Sequence, residues 1–256
     1  MMLIAPLISK WRKGSKIKGV FPPMVRDSMM ACGVIWDLDG VLADTAEAHF
    51  QAWVQALSAQ EIPFDRAAFD RVFGMNNVGT LTVLLGRPPT RQEVTNIADY
   101  KERIFRQEAR RLVRPMPGAI RLLDELAQRG WLQAVASSAP QENIDLLVDA
   151  IGIHRYFAAI LSGARLPAGK PDPALFLAAA RALQLPPQHC VVMEDAPVGV
   201  EAACRAGMAC IAIATTRPRD TLGQGRVFDT LASVTEAIVA DALSAGPQRG
   251  CPAGAP

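Results

Sequence analysis

The chain has 256 residues, half of them apolar and a fifth charged, with a formal net charge of +2. That length can bury a sizeable core, as one large domain or as a core with a smaller companion. Without a general basic excess, nucleic acid is excluded as the expected main partner, and no apolar run is long enough to span a membrane.

In chain order, the first 30 residues stand apart. Lys10, Arg12, Lys13, Lys16, Lys18 and Arg26 face a single acid, Asp27, and no apolar period is sustained. The segment is expected to be a weakly ordered basic extension, with Met29-Met30 a natural start just before the first strand. Residues 32–38 then read as an apolar strand that ends in Asp37-Leu38-Asp39-Gly40. Alternation along a strand points residues i and i+2 the same way, so the two carboxylates can converge. Held together, they repel unless a cation or a proton lies between them. A magnesium site, a nucleophile beside a proton donor, or both would account for the pair, as would a plain acidic turn bending at Gly40.

From Thr45 to about Met116 the pattern is helical, without a convincing strand. Asp44-x-x-Glu47 resembles a capping box, and Phe50, Trp53, Val54 and Leu57 form an apolar stripe at helical spacing. Further helices are expected over 66–73, 78–85 and 90–112. Beyond Met116-Pro117-Gly118, strands at 131–137, 158–162, 190–194 and 209–215 alternate with helices at 119–129, 140–151, 173–184 and 198–206. Strands apolar on both faces, separated by helices, specify an α/β fold: a Rossmann-like parallel sheet core with helices on both faces. The expected division is a core over 31–44 and 116–243, an inserted all-helical cap over 45–115, and a flexible tail over 244–256. The five cysteines are scattered, with no C-x-x-C, which points to reduced thiols and a cytoplasmic protein.

Parallel strands share one carboxyl edge, where open α/β sheets bind ligands. There the sequence puts Asp37 and Asp39, then Ser137-Ser138, then Lys170 in Gly-Lys-Pro-Asp-Pro, then Glu194-Asp195. Singly, each has a structural reading as a cap or a solvated loop residue. Together, two acidic pairs, a hydroxyl pair and a lysine fit phosphoryl transfer, which needs positioning and neutralisation of phosphate oxygens. Lys170, Ser137 and the backbone N–H groups at 138–139 would hold those oxygens. Asp37 and Asp195, with Glu194 in support, offer the carboxylates that magnesium prefers.

These segments, in this order, resemble the haloacid dehalogenase-like hydrolase superfamily in its phosphatase and phosphomutase branch, over residues 31–220. The resemblance implies a magnesium-dependent aspartyl-phosphate mechanism. By position, Asp37 is similar to the nucleophile and a metal ligand. Asp39 is similar to the general acid/base, its backbone carbonyl also reaching the metal. Ser137 and Lys170 are similar to the phosphate-binding residues, and Asp195 and Glu194 to metal ligands. An aspartate at position 39 also disfavours the dehalogenase branch, which has no need of that acid.

The stretch Asp44 to Trp53 resembles the start of the cap in the β-phosphoglucomutase branch, which implies His49 as a neighbour of the acid/base and Lys101 as a cap lysine facing the site. Two departures count against a mutase. That branch offers an arginine where this chain has Gly74-Met75-Asn76-Asn77, and polar or basic residues where it has Ala139-Pro140-Gln141. A hydrogen bond to a charged group is worth ~1.5–3 kcal/mol, so losing two or three weakens the grip on a second phosphate by orders of magnitude. Asn76 and Asn77 can still bind sugar or polyol hydroxyls. The sequence therefore predicts a magnesium-dependent phosphatase acting on a small phosphorylated metabolite, with Ser138, His49, Asn76, Asn77 and Lys101 around the substrate. No nucleic acid or membrane partner is expected, and the assembly is expected to be a monomer or weak homodimer. The alternatives are a sugar phosphomutase, a non-catalytic protein that keeps the fold, and a phosphonate-cleaving enzyme using a Schiff base on Lys101.

Overall fold

A computed structural model describes residues 31–223 and 225–247; the basic extension expected over 1–30 lies outside them. The chain begins with β1 (Gly33–Trp36) and a two-residue strand β2 (Ala43–Asp44). Five helical segments follow: α1 (Ala46–Ser58), α2 (Arg66–Val72), α3 (Asn77–Leu85), α4 (Arg91–Glu93) and α5 (Asp99–Leu112). The helix expected over 90–112 is one run interrupted by a π-helical turn at Val94–Ala98. A second short strand, β3 (Arg114–Pro115), pairs antiparallel with β2 and closes the insertion.

The remainder alternates as predicted: α6 (Ala119–Gln128), β4 (Leu132–Ser137), α7 (Gln141–Ala150), β5 (Ala159–Ser162), α8 (Ala174–Ala182) and β6 (Cys190–Glu194). It ends with α9 (Pro197–Arg205), β7 (Ala209–Ile213), β8 (Arg226–Phe228) and α10 (Glu236–Ala245). Six strands form one parallel sheet in the order β5-β4-β1-β6-β7-β8. Two residues expected in the tail, Ser244 and Ala245, instead complete α10, where the Ser244 hydroxyl bonds back to the Ala240 carbonyl. Residues 248–256 of that expected tail lie outside the described residues.

Strand alternation divides the core in two. Val34, Trp36, Val135, Val191 and Met193 pack against α6, α7 and α10. Ile35, Ala134, Ala136 and Val192 face α8 and α9. Burying one such side chain contributes ~1.5–3 kcal/mol, which is why the strands read as apolar throughout. Trp36 satisfies its indole N–H on Gln133 Oε1 at 3.0 Å, and no buried side-chain polar atom among the described residues lacks a partner. The insertion has an apolar centre of its own, built on Trp53, Leu57, Phe69, Phe73, Leu81 and Ile97.

One local expectation fails. The capping box at Asp44-x-x-Glu47 does not form: Thr45 occupies the cap position without a side-chain cap bond, and Glu47 pairs with Arg66 at 2.6 Å.

Candidate active site

The carboxyl ends of β1, β4 and β6 lie side by side, because β1 pairs with β4 on one edge and β6 on the other. Just past β1, the Asp37 N–H donates to the Met193 carbonyl at 2.9 Å, which carries the strand's register into the loop. Asp37 then meets Lys170, whose Nζ lies 2.5 Å from Asp37 Oδ1 and 2.5 Å from Glu194 Oε1. The other Glu194 oxygen accepts the backbone N–H groups of Asp195 at 2.8 Å and Ala196 at 2.9 Å. Asp195 accepts from the Thr216 hydroxyl.

Two glycines make this packing feasible. A Cβ on Gly199 would fall 1.9 Å from Glu194 Oε1, and one on Gly40 would fall 2.1 Å from Asp195 Oδ2. Gly40 also has φ +79°, which other residues adopt only with strain.

Asp39 lines the same cavity as Asp37 but has a different set of partners. Its Oδ1 accepts from the Thr45 hydroxyl at 2.7 Å and lies 3.0 Å from His49 Nε2, while Ser137 Oγ lies 3.4 Å from Oδ2. His49 stacks on Phe105, with ring centroids 3.9 Å apart and planes 11° from parallel. Its Nδ1 lies 2.9 Å from Lys101 Nζ. A protonated lysine can only donate, so His49 accepts at Nδ1 and carries its proton on Nε2, directed at Asp39. Lys101 also pairs with Glu102 Oε1 at 2.9 Å, and that oxygen accepts from Asn77 Nδ2 at 2.9 Å.

One cavity between the sheet edge and the insertion is lined by Asp37, Asp39, His49, Asn76, Asn77, Lys101, Ser137 and Ser138, with Trp53, Phe73 and Met75 among its apolar wall. Every residue singled out around the substrate is therefore on its lining. Lys170, Glu194 and Asp195 are all buried and sit outside that lining, grouped around Asp37. Both asparagines are partly committed. Asn76 Oδ1 caps α3 through the Gly79 N–H at 2.8 Å, and the Asn77 amide is spent on Glu102.

The electrostatics separate the two aspartates. Burial, with Glu194 and Asp39 adding to it against the pull of Lys170, lifts Asp37 to about 7. Burial, then Glu194 and Asp37, raises Asp195 well above the usual carboxylate range. Burial would raise Asp39 too, but His49, Thr45 and Lys101 outweigh it and hold the carboxyl below its ordinary value. Lys170 is shifted upward: burial opposes its charge, and Asp37 and Glu194 more than restore it.

Asp37, Glu194 and Asp195 thus crowd three carboxylates around one ammonium, which leaves negative charge in excess when all are ionised. A divalent cation cancels such an excess. Among the described residues no three His, Cys, Asp or Glu side chains form a ready-made metal cluster. Magnesium takes only one or two carboxylates and completes its shell with water and phosphate oxygens, so the donor set fits it.

The family model described as haloacid dehalogenase-like hydrolase matches residues 34–213. The chain belongs to that family. It is 34% identical over 192 residues to β-phosphoglucomutase of Bacillus subtilis, a match that covers 72% of this chain and 84% of that protein. It is 29% identical over 178 residues to a phosphorylated carbohydrates phosphatase of Thermotoga maritima, covering 68% and 81%. Among solved structures, β-phosphoglucomutase from Clostridium difficile superposes with a TM-score of 0.76 at 23% identity, over 84% of this chain and 98% of that one, a likeness of fold.

Several residues of this hydrolase's site escaped sequence reasoning. Thr216 lies three residues past the apolar strand β7, on the same sheet edge that Ser137 closes at the end of β4, and that position is a usable signal. Thr45 was read only as the start of a helix. Glu102 and Asn143 carried no signal, because each looks like an ordinary polar residue on an amphipathic helix.

Proposed function

We propose that this hydrolase is a magnesium-dependent phosphatase that removes phosphate from a small phosphorylated metabolite, such as a sugar or polyol phosphate, through an aspartyl-phosphate on Asp37. The carrying observation is the meeting of Asp37 with Lys170 at 2.5 Å while Asp39, bound to His49, lines the same cavity. Magnesium held by Asp37 and Asp195, with the Asp39 carbonyl and Glu194 in support, would neutralise the site and let a carboxylate approach an anionic phosphate.

In this reading an Asp37 oxygen attacks phosphorus and the bond to the substrate's ester oxygen breaks, with Asp39 giving that oxygen its proton. An incoming phosphate dianion raises the pKa of the neighbouring Asp39, so the carboxyl protonates when the acid is needed. Water then attacks phosphorus, Asp39 takes its proton, and inorganic phosphate leaves as the Asp37–phosphate bond breaks. Lys170 fixes the Asp37 carboxylate, and Ser137 with the backbone N–H groups at 138–139 holds phosphate oxygens. The helical insertion over 45–115 serves as the cap, excluding water and choosing the substrate.

A second reading, sugar phosphomutase, draws on the identity to the Bacillus subtilis enzyme and on the His49–Asp39 contact. Against it, the cavity lining contains no arginine among the described residues, and Asn77 turns its amide to Glu102. A second phosphate then has Lys101 as its nearest cationic partner on the cap side, already paired with Glu102.

A panel of phosphorylated metabolites incubated with magnesium separates the two. The proposal expects phosphate release that disappears on chelation and in Asp37→Asn. Conversion of glucose 1-phosphate to glucose 6-phosphate faster than phosphate release would instead establish the mutase. A cytoplasmic location belongs to the same proposal. Among the described residues no helix is long and apolar enough to cross a membrane.

A further inference from the structure

Asn143 is fully buried on α7, in the sheet domain, yet both ends of its carboxamide are used by the helical insertion. Its Oδ1 accepts from Arg106 Nη1 at 2.9 Å, and its Nδ2 donates to Glu102 Oε2 at 2.5 Å. Arg106 and Glu102 lie one turn apart on α5, so one amide reads an acid and a base on the same helix face. Arginine can only donate and an ionised carboxylate can only accept, which leaves the amide a single orientation. The remaining Glu102 oxygen holds Lys101 and Asn77, both on the cavity lining.

We propose that Asn143 is a positioning residue that docks α5 on the sheet domain and, through Glu102, sets Lys101 and Asn77 at the substrate cavity. Three observations support this. The joint crosses between the insertion and the sheet domain, and α7 begins at Gln141, directly after the lining residues Ser137–Pro140. Every buried side-chain polar atom among the described residues has a partner, so removing one group strands others. No aliphatic side chain of similar size can satisfy Glu102 and Arg106 together, and aspartate reverses the polarity that Glu102 requires.

The inference deepens the phosphatase reading and rests on it for the kinetic measurement alone. Hydrogen exchange by mass spectrometry tests the joint independently of any activity. In Asn143→Asp, peptides from α5 and the start of α7 are expected to exchange about tenfold faster or more, as loss of a charged hydrogen bond implies. Peptides from β1 and β6 are expected to keep wild-type protection. Asn143→Asp combined with Glu102→Gln restores a donor opposite an acceptor and should recover protection at the joint. Arg106→Met removes the second arm from the insertion side and should loosen the same peptides, which keeps the test decisive if Asn143→Asp fails to fold.

In kinetics, Asn143→Asp should lower kcat/KM on a phosphorylated metabolite by about tenfold, mainly through KM. Acetyl phosphate, too small to reach Asn77, should keep a nearly unchanged KM. Wild-type protection in both Asn143→Asp and Arg106→Met overturns the proposal. Loosened peptides in the two variants, together with a wild-type protein that releases no phosphate, would leave the joint standing and remove the phosphatase.

Discussion

Lys101 touches His49 at Nδ1, and this contact determines which His49 nitrogen faces Asp39 with a proton. The consequence is chemical: Asp39 rests ionised and takes up its proton only when the phosphate arrives. Replacing His49 by Asn removes the largest force lowering the Asp39 carboxyl, so its pKa rises toward the value that burial favours. The basic limb of the pH profile for kcat/KM, set by the acid that protonates the leaving oxygen, should then move to higher pH, with kcat falling by roughly 10²-fold, the lower end of the range for general acid/base catalysis. Steady-state kinetics across pH on wild type and His49→Asn checks this; an unmoved limb would show that His49 does not govern Asp39.

Asp37 makes a second residue-scale prediction. Its folded pKa of about 7 lies above the ordinary 3.8, so the folded state binds a proton that the unfolded state has released. That contribution to stability is complete below the ordinary value and is lost as pH rises through about 7. Asp195 shifts in the same direction. Magnesium should therefore raise Tm strongly at about pH 8 and weakly at about pH 5, where protons already occupy the carboxylates. Equal shifts at both pH values, by calorimetry, would contradict the three-carboxylate account.

At the scale of elements, the loop after β6 depends on one missing side chain. Gly199→Ala places a methyl on the Glu194 carboxylate, so Glu194 must leave Lys170 or α9 must shift. A broken buried ion pair costs ~3–5 kcal/mol, and the urea midpoint should fall accordingly with loss of phosphate release. Phe105, fully buried beneath His49, should cost ~3–5 kcal/mol when cut to alanine. The long elements were legible because their apolar patterns repeat: β1, β4 and β6 are apolar on both faces, and α8 and α9 bury continuous stripes. The short ones were not. β2 and β3 are two residues each, and β8 carries Arg226 at a sheet edge, so none had enough apolar residues to set a period. The π-helical turn at Val94–Ala98 leaves no mark in a helical pattern.

For the whole molecule, the difference between what could and could not be read follows from whether sheet topology dictates the contact. Asp37, Ser137 and Glu194 sit at the ends of paired strands, with Lys170 in the loop between β5 and α8, and parallel pairing brings strand ends together wherever they fall in the chain. Contacts between the insertion and the sheet domain obey no such rule. Arg217, after β7, reaches the Phe73 carbonyl at 3.1 Å, and Gly74 approaches Ala196 so closely that a Cβ there would come within 2.9 Å. Neither contact follows from spacing or composition. Arg217→Met should loosen the loop at 73–76 and raise KM several-fold, by ~1 kcal/mol for one hydrogen bond, while leaving the fold intact. An unchanged KM would remove that contact from substrate binding.

The central claim is that Asp37 carries the phosphoryl group between substrate and water. Rapid acid quench of wild type turning over a phosphorylated metabolite with magnesium, followed by mass analysis of the peptide containing Asp37, tests it directly. The account predicts a transient gain of one phosphoryl group on that residue, absent in Asp37→Asn along with phosphate release. Full turnover by Asp37→Asn, with no phosphoryl group found on the wild-type peptide, would contradict it.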